Sequence, residues 1–71
     1  MPEMREIFSS HIAAVGYDPG TQDFHVTWQK GGRTSVYGGV PPEVASQITS
    51  SPSIGEALHA LVRGKYSHRY L

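Results

Sequence analysis

Cysteine is missing from all 71 residues, which excludes a disulfide framework as a source of stability. The absence favours a reducing cytoplasm as the compartment. No run of about 18 apolar residues occurs, so no segment reads as a membrane-spanning helix. The leading stretch "MPEMREIF" carries acids and lacks an apolar h-region, so it does not read as a signal peptide. Net charge is missing as well: six basic residues offset six acidic ones. Autonomous nucleic-acid binders usually carry a basic surplus, and this chain has none.

What is present suffices for one domain. Hydrophobic residues make up 38% of the chain, more than a disordered segment typically holds. A domain this small buries only about 60% of its unfolded surface, so its stability margin is thin. The charge is also uneven along the chain. All six acids lie at or before Glu56, and Arg63, Lys65 and Arg69 follow with no acid to offset them.

The hydrophobic period changes once. "HIAAVGY" is apolar and runs into "DPGT", where Pro19 pre-sets φ and Gly20 accepts a positive φ. "DFHVTWQ" then alternates. Phe24, Val26 and Trp28 face one way, and Asp23, His25, Thr27 and Gln29 face the other, towards solvent. Gly31-Gly32 between two β-like runs predicts a tight hairpin into "RTSVYGG". Residues 11–38 therefore read as a three-stranded antiparallel meander. From Val40 the period lengthens. Pro41 and Pro42 suit a first helical turn, Glu43 complements the helix start, and Val44 and Ile48 share a face, which predicts a helix near 41–50. A second helix is predicted near 52–63. Ser51, or Ser53 in the capping box Ser53-x-x-Glu56, opens it; Ile54, Leu58, Leu61 and Val62 stripe it; Gly64 stops it. The expected class is α+β: a three-stranded antiparallel meander followed by two helices packed on one face. Phe24, Val26, Trp28, Val44, Ile48, Ile54, Leu58 and Leu61 are the expected core. Residues 1–8 read as a lead-in whose Met4, Ile7 and Phe8 are spaced like a short helical face, too short to stand alone. Docking on the domain of residues 9–71 is its simplest fate.

The order "SSHIAAVGYDPGTQDFHVTW", "YGGVPPEV", "S-x-G" and "RGKY" resembles the KTSC domain, a short domain found at the C-terminus of some lysyl-tRNA synthetases and as standalone bacterial and phage-type proteins. The resemblance covers residues 9–71. It rests on Ser10, Tyr17-Asp18, Gly39-Val40-Pro41, Gly55 and Arg63-Gly64-x-Tyr66. The family often places Tyr-x-Tyr in the third strand; here Ser35 stands at the first position and Tyr37 at the second. If paired tyrosines form a stacking platform, half of it is gone. The resemblance implies no established activity, and its link to a tRNA synthetase points by analogy to RNA.

Candidate chemistry is sparse. His11, His25, His59 and His68 have no helical i, i+4 spacing and no cysteine beside them, so no metal site is expected. No G-x-S-x-G elbow is present, and the glycines of "GGRTSVYGG" do not sit in P-loop order. Neither an enzyme nor a cofactor is expected. The stretch "LVRGKYSHRYL" is the remaining feature. Tyr and Arg carry binding energy at protein interfaces and also suit nucleic acid through stacking and phosphate contacts. Lys65, Arg69 and Tyr70 are the expected partner-facing residues, with Arg63, Tyr66, Tyr37 and Arg33 as further candidates; Arg63 and Tyr66 would tie the chain end to the domain. The function expected is a small non-enzymatic interaction protein, monomeric, docking on a larger protein partner such as a nucleic-acid-handling machine. Phage-encoded regulators of host machinery are of this size. The alternative is an RNA-binding module for tRNA or single-stranded RNA that uses the same segment. Three basic residues supply few phosphate contacts, so such binding would be weak and salt-sensitive.

Overall fold

A computed structural model describes residues 4–7 and 9–71. The chain builds a single antiparallel sheet in the order β1-β2-β3-β4-β5, with strands β1 (Arg5–Glu6), β2 (Ile12–Asp18), β3 (Asp23–Trp28), β4 (Thr34–Gly38) and β5 (Ser67–Tyr70). Helices α1 (Pro42–Thr49) and α2 (Ile54–Leu61) form the connection from β4 to β5. The meander over residues 11–38 and both helices stand where the sequence puts them. The sheet is wider than the expected three strands, because two short, exposed strands add one at each edge.

The alternation of β3 sets the layers. Phe24 and Val26 are fully buried, and register places Tyr17 and Tyr37 beside Phe24 and Val15 beside Val26 on the same face. α1 contributes Ala45 and Ile48 to this core, α2 contributes Leu58, and Val62 follows α2. Trp28, Val44, Ile54 and Leu61, all expected core residues, pack against it half-buried. β2 does not alternate in its sequence, yet Ile12 and Val15 are both buried. A register shift between Ile12 and Ala14 inserts one extra residue and turns both side chains inward.

Local chemistry differs from expectation in the β2–β3 turn and in the lead-in, and it selects one of the two expected caps of α2. In the β2–β3 turn the positive φ falls on Gln22 (59°), not on Gly20, because the loop closes by the Gln22 N–H donating to the Asp18 carbonyl at 2.7 Å. Ser53, rather than Ser51, caps α2, its Oγ accepting from the Glu56 N–H at 3.5 Å. In the lead-in, Arg5 and Glu6 pair with Val15 and Ala14 as a strand rather than a helical turn, and Ile7 packs on the core. An available strand edge offers those backbone groups partners that a lone helical turn would lack. The rest of that segment, Met1–Glu3 and Phe8, lies outside the described residues.

Leu58 sits mid-stripe on α2 and is almost wholly enclosed. Leu58→Ala should cost about 2–5 kcal/mol as a core truncation. A domain of this size commands about 3–5 kcal/mol in total, so the variant should be largely unfolded by circular dichroism. An unchanged melting temperature would remove Leu58 from the core.

Candidate functional site

Strand β5 answers what the C-terminal stretch is: an edge strand, exposed along its whole length. Its register on β4 sets His68 opposite Tyr37 and Tyr70 opposite Ser35, so His68 and Tyr70 share the face that carries the core. The rings form a row. Tyr37 and His68 have centroids 5.0 Å apart, and His68 meets Tyr70 edge-on at 4.7 Å. The Arg33 guanidinium lies over the Tyr70 ring, 4.4 Å from its centroid. A cation over an exposed ring is worth about 0.5–1 kcal/mol. Tyr70 is 52% exposed, so the row ends in an aromatic surface flanked by a cation.

The other candidates divide between this surface and other roles. Arg69 points to the opposite face and bonds Asp23 through a 3.4 Å ion pair. With the arginine largely in solvent, that pair contributes little to stability. Lys65 is exposed in the turn before β5. Tyr66 is half-buried against the core and anchors the returning chain. Arg63 is exposed and lines a groove beside α2 rather than joining the row. Tyr37 is only 5% exposed, so it belongs to the core. Ser35, standing where the family often has its first tyrosine, is also buried, and its Oγ accepts from Trp28 Nε1 at 2.7 Å. The exposed aromatic of this region is therefore Tyr70.

His25 corrects an expectation. Alternation puts it on the face away from Phe24 and Val26, which holds, but it is 6% exposed instead of solvated. Its neighbours across the strands are Gly16 and Val36, both buried, so it sits mid-sheet with paired strands on either side. Among the described residues its Nδ1 has no hydrogen-bond partner. Among the described residues no group of three or more His, Cys, Asp or Glu side chains is placed to hold a metal ion. Among the described residues no helix is long and apolar enough to cross a membrane.

Several residues that carry the family resemblance serve the scaffold. Tyr17 donates its hydroxyl proton to the Val40 carbonyl at 2.6 Å, joining strand β2 to the start of the helical layer. Asp18 Oδ1 accepts from the Gly20 N–H at 3.0 Å and shapes the turn. Gly39 and Gly64 both lie at φ 78°, where a side chain would be strained. Ser10, Gly55 and Arg63 instead meet at a groove of about 920 Å³ between α2, the start of β2 and the end of β3. Ile12, Trp28 and Leu58 supply its apolar wall.

Together these features define a small α+β module, one sheet face covered by a helical pair, whose exposed features are an aromatic edge and a groove. A family model for the KTSC domain matches residues 8–66. The chain belongs to the KTSC domain family. It is 35% identical to a protein of Tsukamurella paurometabola over 63 residues, which cover 89% of this chain and 92% of that one. The crystal structure of a KTSC domain protein from Yersinia pestis superposes with a TM-score of 0.92 at 27% identity, covering 100% of this chain and 99% of that one.

Two phenols hold their protons above the ordinary value of about 10. Burial raises Tyr37, with Tyr70 adding to the effect and Arg63 opposing it. Burial also raises Tyr17, helped by the carboxylates of Glu43 and Asp18. The unfolded chain releases these protons first. Their contribution to stability is therefore complete below about pH 10 and is lost as pH rises through the folded values. A near-ultraviolet phenolate titration should show a late component that vanishes in the double variant Tyr17→Phe/Tyr37→Phe. A wild-type titration without that late component would contradict it.

Proposed function

We propose that the chain is a small non-enzymatic interaction protein that acts as a cytoplasmic monomer and docks on a larger protein partner through strand β5. The observation that carries this reading is the row Arg33–Tyr70–His68 on an exposed edge strand. Arg and Tyr are the side chains that concentrate binding energy at interfaces. An edge strand adds unpaired backbone groups that can accept a partner's strand. Lys65 is exposed in the turn before β5, while Arg69 is drawn towards Asp23. A nucleic-acid-handling machine is a fitting partner class, and a regulator of such a machine is the role proposed. RNA as the direct ligand is the second reading, since Tyr70 beneath Arg33 could also stack a base.

The test is a pull-down from bacterial lysate followed by affinity measurement on the partner recovered. The variant Arg33→Ala/Lys65→Ala/Tyr70→Ala should keep its cooperative unfolding and bind about tenfold more weakly or worse. Affinity within about twofold of the parent, in a variant that still folds, would return β5 to a purely structural role. Salt separates the two partner classes. An RNA ligand would show a steep log–log salt dependence that flattens by about two units in the variant, one for each phosphate its missing cations no longer neutralise.

A further inference from the structure

Gly55 is a glycine that the fold does not need. It is the second residue of α2, a place where glycine is a poor helix former. Its φ is not among the positive ones. A Cβ added there would meet one atom within 4 Å, Ile12 Cδ1 at 3.9 Å, which is ordinary contact. Neither backbone nor packing therefore demands the missing side chain. What the glycine does is leave open one wall of the 920 Å³ groove.

The rest of that groove has a consistent chemistry. Trp28, held by its bond to Ser35, and Leu58 form a fixed apolar wall. Lys30 and Arg63 stand on the rim with His11 and His59, against the single carboxylate of Glu56. Among the described residues the one ion pair is Arg69–Asp23, so neither Lys30 nor Arg63 is engaged by an acid there. The groove follows the chain from Ser53 to Arg63. Ten residues at helical rise make roughly 15 Å, the span of about four or five extended residues.

We propose that this groove docks a short acidic peptide segment of a partner protein, with one aromatic side chain seated over Gly55 against Trp28 and Leu58. The length, the apolar wall and the unpaired cations on the rim argue for this occupant. The groove lies along one side of α2 and shares no lining residue with Arg33, Lys65 or Tyr70, so the two sites can be tested apart.

Trp28 is the only tryptophan in the chain and reports directly on the groove. The full chain is titrated with the capped peptide Asp-Glu-Phe-Asp-Glu, and its fluorescence should change saturably with a Kd below about 1 mM. The same peptide with Ala in place of Phe, or with Lys and Arg in place of the acids, should bind at least about tenfold more weakly. Gly55→Leu should abolish the response. Gly55→Ala should fold at least as stably as the parent, which checks that the position tolerates a side chain. Should Gly55→Leu not fold, the pair Lys30→Glu/Arg63→Glu takes its place and should weaken binding about tenfold. The Arg33→Ala/Lys65→Ala/Tyr70→Ala variant should bind the peptide as the parent does, which separates this site from the β5 reading. Three results would overturn the proposal: no saturable change up to about 5 mM, an equal response to the basic peptide, or a stronger response to a single-stranded oligonucleotide.

Discussion

The packing of Phe24 and Val26 against the two helices is the contact on which the rest of this domain depends. β3 is the central strand, paired on both sides, and its inward residues are fully buried. A chain of this length can enclose only one core, so most of its apolar side chains converge on that face, while Val36 is buried beside His25 on the other. Val15 and Tyr37 flank the strand, Ile48 and Leu58 cover it, and Val40 and Val62 close the ends of the helical layer. The bond from the Tyr17 hydroxyl to the Val40 carbonyl fixes where that layer begins. With the entry point held there, the two helices must cross the sheet and return the chain beside β4.

The surfaces available for binding are by-products of this closure. β5 completes the sheet and, among the described residues, has no further strand to pair with, so its outer edge and Tyr70 face solvent. The irregularity near Ala13 turns Ile12 into the core and displaces the start of β2, where Ser10 and His11 border the groove. Trp28 bridges the two regions. Its ring lines the groove, while its N–H is bonded to Ser35 on the strand that carries β5.

β3 and both helices are legible in the residues because each has a periodic apolar face, and β2 because its apolar run ends at a strong turn signal. β5 is not. "SHRY" alternates, but between polar and aromatic residues with no apolar set to give period two a direction. Its strand character comes from pairing with β4, 29 to 35 residues earlier, and local pattern carries no trace of that contact. The two-residue β1 is shorter than any window in which a period can be read. His25 shows the same division. Its face follows from alternation, but its burial depends on tertiary neighbours that alternation does not encode.

The sequence by itself therefore determined the class of fold, the meander, the two helices with their stops, the family and the placing of unbalanced positive charge after Glu56. Each of these rests on interactions between residues a few positions apart, or on composition. Tertiary structure alone decided which exposed side chains meet. It put Arg33 over Tyr70, sent Arg69 to Asp23 on the other face, buried Tyr37 and His25, and drew Trp28, Gly55 and Arg63 to one groove. Those neighbours are separated by up to 46 of the 71 residues, and only the closing of the sheet and the crossing of the helices brings them within contact distance.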